Sequence, residues 1–406
     1  MVNKQFIKGW LLSPFFFKGF SLIVQILNLS HKEVFNKYSV FYNIFREVYR
    51  LGLLAIEIRK MTKNLAFKTQ KIVLSEGEIC YKKIDTDSEL FNLFFTGSIS
   101  ELFNLARKIL TQGDEELGYS LLNSINNYEE YDNNSYKIGN HLFDFKNAYV
   151  MGILNVTEDS FSDGGKYSNT TDAVKHAFQM VEKGADIIDI GGESTKPGSE
   201  SIDVESEIER IVPVINGILK EKPDTLISVD TTKSKVAELS LKAGAKIIND
   251  INAYKTDPDL INIVKKYNAT YVLMHMQGTP KYMQKNPGYV DVIKEIYNFL
   301  FEKTKSIKKM GIKNLFIDPG IGFGKRVEDN FEILKRLEDF KSLGYPILIG
   351  VSRKSFISKT LDLDINERDT ASAIVEALAV RNGAKIIRTH NVENGVQICK
   401  LLNKLN

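Results

Sequence analysis

Cysteine is scarce in this chain of 406 residues, where Cys80 and Cys399 stand far apart and form no Cys-x-x-Cys pair. That spacing gives no support to a disulfide framework or a structural zinc site, and it places the chain in a reducing compartment, taken here as the cytoplasm. Histidine is also rare, and its five copies do not fall at metal-ligand spacing, which argues against zinc. An excess of one charge is missing as well. Fifty-four Lys and Arg against fifty-one Asp and Glu leave +3, too little over this length to argue for nucleic-acid binding. No phosphate-binding P-loop is present. Gly320-Ile-Gly322-Phe-Gly324 follows an apolar run but lacks the spacing of a dinucleotide fingerprint, so neither ATP nor NAD is indicated.

An uninterrupted apolar span is absent too. Residues 10–27 come nearest, but Pro14, Lys18 and Gln25 break them up, and a central lysine is costly inside a membrane. No small-residue cleavage site follows them, so a signal peptide is not supported. The expectation is a buried or amphipathic helix, with no stable membrane insertion.

What is present is an ordinary globular composition, 43% hydrophobic and 26% charged, on a chain too long for one domain. Residues 1–60 read as a helical, apolar segment of unassigned role, and residues 61–134 as a small α+β domain with its linker. Within that domain, residues 68–83 alternate as strands turning near Glu76-Gly77, and Phe94-Phe95-Thr96-Gly97 reads as a further strand. Ser98 then caps an amphipathic stretch. Residues 126–134, rich in Asn, Tyr, Glu and Asp, are the predicted linker.

Residues 135–406 carry a repeat in which a helical pattern ends at glycine and a short β-branched run follows. Gly184-Ala-Asp-Ile-Ile, Gly244-Ala-Lys-Ile-Ile and Gly383-Ala-Lys-Ile-Ile are nearly one pentapeptide. The glycine supplies the left-handed residue that ends a helix. Eight apolar runs lie around residues 149–154, 186–190, 225–229, 246–249, 270–274, 314–317, 346–350 and 385–389. Strands and helices alternate throughout, over a length close to the roughly 250 residues of a (β/α)8 TIM barrel. An open doubly wound sheet competes, but it has no need of eight units.

Chemistry in such a barrel belongs at the C-terminal rim. There Asp189 lies within the second run, just before Gly191-Gly192-Glu193, and the other runs close on or are followed by Asn155, Asp230, Asn249-Asp250, His275, Asp318, Ser352-Arg353-Lys354 and Arg388 with His390. Any one of these alone also reads as a cap or turn residue, and His275 equally as a core histidine satisfied by backbone. Together they describe a pocket with acids and amides on one side and cations on the other. Carboxylates and carboxamides suit a flat heterocycle presenting N–H donors, and Lys354, Arg388 and His390 suit phosphate oxygens. Two Gly- and Ser-rich loops, residues 159–165 and 191–198, follow successive strands and read as lids.

These pieces resemble a known family. Met151-Gly-Ile-Leu-Asn155-Val-Thr-Glu-Asp-Ser-Phe161-Ser-Asp163-Gly-Gly165, Gly191-Gly-Glu-Ser-Thr195-Lys-Pro197-Gly198, Asp318-Pro-Gly-Ile-Gly-Phe323-Gly-Lys325, Ser352-Arg-Lys354-Ser355 and Arg388-Thr-His390 are similar, in order, to the motifs of the dihydropteroate synthases. The resemblance implies a transferase of folate synthesis that condenses 6-hydroxymethyl-7,8-dihydropterin pyrophosphate with 4-aminobenzoate, works as a homodimer with Mg2+, and is blocked by sulfonamides. It implies pterin contacts at Thr195, Asp230, Asn249, Ile251, Met274, Asp318, Gly350 and Lys354, with Asp163, Asp230 and Lys354 nearest the chemistry. Pyrophosphate would lie at Asn155, Arg388 and His390, with the metal bridging to Asn155. The aminobenzoate walls would be Phe161, Thr195, Pro197, Phe323 and Ser355.

Three positions depart from the family's pattern: Glu158 stands for proline, Lys196 for arginine and Asn391 for aspartate. They lower the expected turnover without removing a central residue. Two other readings are weighed. A corrinoid-linked methyltransferase on the same barrel would need neither the Asn155 motif nor the Arg388 and His390 pair. A non-catalytic pterin-binding subunit would bind pterin and release no pyrophosphate.

Overall fold

The structure, a computed structural model, describes residues 23–27, 54–75, 82–85, 90–157, 166–194 and 198–405. Glu158, Phe161, Asp163, Thr195, Lys196 and Pro197, and the expectations placed on them, lie outside the described residues. The chain divides into two compact units, residues 1–131 with 338–344, and residues 132–337 with 345–406.

Among the described residues, the first unit has four antiparallel strands, β1 (Ile23–Leu27), β2 (Leu54–Thr62), β3 (Lys82–Asp85) and β4 (Leu90–Gly97), in the order β1-β2-β4-β3. Helices Lys63–Ser75, Ile99–Gln112 and Glu115–Glu129 share its apolar core. The strand expected at Phe94 and the cap expected at Ser98 are both present, the latter as a reciprocal capping box with Glu101.

Three expectations are corrected here. Residues 63–75 are helical where strands were predicted from residue 68, because buried Ala66, Thr69, Ile72 and Val73 recur at three to four residues rather than two. Residues 23–27 are a strand rather than part of a helix, in keeping with the β-branched Ile-Val-Gln-Ile run. Residues 126–134, predicted as a linker, are the end of helix Glu115–Glu129 and a 3-10 turn over Tyr131–Asn133, although the boundary between the two units does fall within them. Their polar residues lie on a helix surface, and composition alone does not separate that from a loop.

The second unit opens with a hairpin, β5 (Ser135–Ile138) and β6 (His141–Asp144). Eight parallel strands follow: β7 (Tyr149–Asn155), β8 (Ile187–Gly191), β9 (Ile227–Asp230), β10 (Ile247–Asp250), β11 (Thr270–Met274), β12 (Leu315–Asp318), β13 (Ile347–Ile349) and β14 (Ala384–Thr389). Each pairs with the next, and β14 pairs with β7, so the sheet closes. This is the (β/α)8 barrel that the eight apolar runs predict.

The hairpin closes the end of the barrel opposite the rim. Ile138, Phe143 and Phe145 pack with the first inward residues of the strands, among them Met151, Ile187, Val272, Phe316 and Ile386. Phe145 meets Tyr136 and Phe316 edge to face at ring separations of 5.1 and 6.0 Å. Apolar mass at this end leaves the strand C-termini free to carry polar groups. Phe145→Ala should therefore cost about 3–5 kcal/mol of stability, the usual price of emptying a buried aromatic site. Denaturant unfolding followed by far-ultraviolet circular dichroism measures it, and a loss below about 1 kcal/mol would show that the hairpin is not part of the core.

Candidate active site

The barrel strands are almost wholly buried and largely apolar, so a polar side chain at the end of one is held by rigid backbone. On β8 one polar residue comes early. Asp189 is fully buried between Ile188 and Ile190, and its Oδ2 accepts from Arg388 Nε at 2.6 Å and Asn249 Nδ2 at 3.1 Å. Arg388, from β14, also donates from Nη2 to Asp230 Oδ2 at 2.7 Å. One guanidinium thus spans two carboxylates and, through Asp189, fixes the amide of Asn249.

Burial pushes Asp230 up to about 7, with Arg388 opposing and Asp189 adding to the rise. Burial works against the charge on Arg388, but Asp189 and Asp230 outweigh it and hold the guanidinium above its usual range. The Asp189 Oδ1 atom is buried without a hydrogen-bond partner among the described residues. Because Asn249 spends its Nδ2 on Asp189, its Oδ1 is the atom left to meet an incoming donor.

The opposite wall is the 318–325 turn. Asp318 ends β12, and its Oδ1 accepts from Gly320 N at 2.7 Å. Burial raises its pKa, against the pull of Lys354. Glycine is required in this turn: Gly320 has φ +74°, and a Cβ there would lie 1.9 Å from the His275 carbonyl oxygen. Lys354 donates to the Ile321 carbonyl and lies 4.4 Å from the Phe323 ring centroid. Burial pushes it down to about 8, with Asp318 opposing. Phe323 packs against buried Ile251, Met274, Met276 and Met283, so the polar mouth has an apolar flank.

Arg353, between Ser352 and Lys354, is held at φ +57°, a strained conformation for a non-glycine residue. Its guanidinium clasps Asp369 through Nε at 2.7 Å and Nη2 at 2.9 Å. Ser352 Oγ lies 3.0 Å from His390 Nδ1 and accepts from the His390 backbone at 3.1 Å. Burial pushes His390 down to about 4, aided by Arg388 and Arg353, so the imidazole is neutral near pH 7.

Of the residues named from sequence, Asp230, Asn249, Asp318, Lys354 and Arg388 come together through these contacts and the charges linking them. Asn155 ends β7, its Oδ1 3.8 Å from where a Gly191 Cβ would sit and so beside Asp230. Ser355 is exposed at the first turn of helix Ser355–Leu361, and Gly350 lies beside Arg388. Two rim residues take the bland reading instead. Asp250 accepts from the Asn252 and Tyr254 amides and the Tyr271 hydroxyl, and buried His275 is partnered by Lys325.

Sequence reasoning counted Asp189 among the rim residues, as a carboxylate inside Ile-Ile-Asp-Ile, but gave it no contact; its place as the anchor of Arg388 and Asn249 comes from the structure. A magnesium ion would find no cage here: among the described residues no three His, Cys, Asp or Glu side chains gather to hold a metal. The donor set fits a hard cation that brings phosphate and water ligands with it and takes one amide oxygen from Asn155.

Known proteins are similar to this chain over the barrel. The sequence profile of the pterin binding enzymes matches residues 151–390. A dihydropteroate synthase of Synechocystis is 42% identical over 272 residues, 66% of this chain and 94% of that protein. The barrel is similar to the Yersinia pestis dihydropteroate synthase in complex with a sulfonamide drug (TM-score 0.63, 38% identity, 67% of this chain and 98% of that one). It is also similar to the Xanthomonas albilineans enzyme with 4-aminobenzoic acid (TM-score 0.63, 36% identity, 67% and 97%).

The depressed pKa of His390 has a consequence for stability. The unfolded chain binds a proton at this residue near pH 6.5 and the folded chain only near 4, so stability falls as pH drops through that window. Between pH 7 and 5 the native protein should lose on the order of 1–2 kcal/mol more than His390→Asn does. Parallel pH-stability curves for the two proteins would contradict this.

Proposed function

This chain belongs to the dihydropteroate synthase family of pterin-binding enzymes, and from that premise we propose how its residues carry the reaction. It is a transferase of folate synthesis, joining 6-hydroxymethyl-7,8-dihydropterin pyrophosphate to 4-aminobenzoate with release of pyrophosphate and 7,8-dihydropteroate. The observation that carries the residue-level reading is the pairing of acids with cations at the rim, Arg388 between Asp189 and Asp230 beside Asn249, and Lys354 beside Asp318 on the facing turn, rather than the separate acidic and basic sides expected from sequence.

In this reading Asp230, Asn249 and Asp318 accept hydrogen bonds from the pterin ring, and Lys354 donates one. Ile251, Met274 and Gly350 border the same ring. Asn249 Oδ1 is free for that role because Asp189 holds the amide nitrogen. The bond between the pterin methylene and the pyrophosphate oxygen breaks first, its electron pair leaving with the pyrophosphate. The electron-rich ring spreads the resulting positive charge, and the carboxylates favour it.

Asn155, Arg388 and His390 receive the departing anion. Arg388 does so through donors not spent on the two acids, and neutral His390 through a ring N–H. Magnesium, when bound at Asn155, supplies charge neutralisation to the pyrophosphate. The arylamine nitrogen then bonds to the methylene and releases one proton to water. It is neutral at pH 7 and needs positioning more than a base. Phe323 and Ser355 border its site, with Phe161, Thr195 and Pro197 assigned beside them by resemblance and Asp163 near the reacting carbon.

The Yersinia protein binds a sulfonamide drug and the Xanthomonas protein 4-aminobenzoic acid, and both ligand classes belong to this proposal. No helix among the described residues is long and apolar enough to cross a membrane. A cytoplasmic location is proposed from the two widely separated cysteines. A homodimer is proposed from helix Asp369–Arg381, which leaves Ile374 and Leu378 more than half exposed one turn apart.

Purified protein with magnesium and both substrates should release pyrophosphate, stop when the metal is chelated, and be inhibited competitively with 4-aminobenzoate by a sulfonamide. Asp318→Asn should weaken pterin binding by about 1.5–3 kcal/mol, the range for a hydrogen bond to a charged group. Pterin binding without pyrophosphate release would favour the non-catalytic reading, and unchanged affinity would remove Asp318 from the pterin site. Sedimentation should give a dimer that Ile374→Glu with Leu378→Glu converts to monomer. A wild-type monomer would end that part of the proposal.

A further inference from the structure

Lys325 is absent from the roles above, yet it is one of the most buried cations of the barrel, at 3% exposure. Its ammonium is ringed by three acceptors: the Phe323 carbonyl at 3.0 Å, His275 Nδ1 at 3.1 Å and the His275 carbonyl at 3.4 Å. His275 follows β11, and its backbone N–H donates to the Asp318 carbonyl at 2.9 Å. Lys325 therefore ties the end of β11 to the far side of the turn that starts at Asp318 and carries Phe323. An ammonium has three donors, and here each meets an acceptor inside the protein, leaving none for substrate.

Burial also pushes Lys325 down to about 7, with Asp318 opposing and Lys354 adding to the fall. Burial, with Lys325 and Lys255 adding, keeps His275 unprotonated, and the tautomer with its proton on Nε2 offers Nδ1 as the acceptor that a Lys325 N–H requires. A lysine held at such cost only to fill space would be replaceable by methionine; the three matched acceptors point to a task.

We propose that Lys325 is a positioning residue for substrate binding, acting with His275 to lock the Asp318–Phe323 turn in its receiving geometry. The inference rests on the reading of Asp318 and Phe323 as substrate-contacting residues. It separates two kinds of loss. A residue that only stabilises the fold lowers the active fraction, and with it kcat, while KM stays. Lys325 should do the reverse, because Arg388 and His390, which receive pyrophosphate, are held elsewhere by Asp189, Asp230 and Ser352.

The test uses the full chain and steady-state kinetics with both substrates, plus calorimetry with the pterin pyrophosphate and magnesium. Lys325→Met should raise both KM values and weaken pterin binding about tenfold, with kcat within about twofold. His275→Leu should match it, and the double variant should be no worse than either single one, since all three remove the same contact. His275→Asn, whose Oδ1 can stand in for Nδ1 as acceptor, should restore binding to near the native level. KM values and pterin affinity left unchanged in Lys325→Met and His275→Leu would overturn the proposal, as would a His275→Asn variant no better than His275→Leu. If Lys325→Met does not fold, the two His275 variants decide. An Asp318→Asn variant with native affinity would instead bring down the pterin-site reading. Weakened Asp318→Asn beside unaffected Lys325→Met would bring down the lock alone.

Discussion

The mouth of this barrel depends on one cation shared by two acids. Arg388 reaches from β14 to Asp189 on β8 and Asp230 on β9, and without it two carboxylates would face each other in a buried space. Burying such a group costs several kcal/mol per ion before its partners offset the loss, so stability alone does not account for it. The arrangement makes sense as preorganisation. The acids are held where a ring with N–H donors needs acceptors, and the guanidinium is held where an anion departs. Asp189 adds a second link, because the oxygen that anchors Arg388 also orients Asn249. The ring-binding and anion-binding sides are therefore set by the same carboxylate.

The remainder of the unit makes that arrangement affordable. Aromatic packing from the 135–144 hairpin fills the barrel at the end away from the rim, so the strands are anchored where nothing chemical is required. At the rim the turns carry strain and tight approaches instead: Arg353 at positive φ, and Gly320 against the His275 carbonyl. Each is braced by polar contacts, Arg353 by Asp369 and the 318–325 turn by Lys354 and Lys325. Stability sits at one end of the barrel and positioning at the other.

Much of this was legible in the sequence, for a physical reason. A parallel barrel buries both faces of its strands, so an apolar run that stops at Asp, Asn, Lys or Arg marks both a strand and its rim residue. Asp230, Asn249, Asp318, Lys354 and Arg388 were found that way. The same logic marked Asp189 as a rim residue but gave it no role, because it sits within a run rather than at its end and its partners come from β10 and β14. It could not separate Asp250 and His275 from their neighbours, because cap and ligand contact share residue types. The hairpin over residues 135–144 left no mark distinct from a loop, since its value lies in Ile138 and Phe143 meeting residues far along the chain. Residues 68–75 read as strand in the sequence because a short apolar run fits either period until one knows which residues are buried.

Asn391 shows how a departure from the family's pattern can be absorbed. Its Oδ1 accepts from Asn394 N at 3.1 Å and so caps helix Val392–Leu402, as an aspartate there would. Its Nδ2 donates to Asp369 Oδ2 at 3.1 Å, which an ionised aspartate could not do and would oppose by repulsion. Asp369 is the carboxylate that clasps Arg353, and Arg353 holds the turn from which Lys354 enters the site. The amide therefore keeps the cap and adds a donor to the brace behind a site lysine. It also leaves His390 with one fewer adjacent negative charge, which agrees with an imidazole that stays neutral. The substitution is thus consistent with an intact rim, and the reason lies in hydrogen-bond polarity rather than in size.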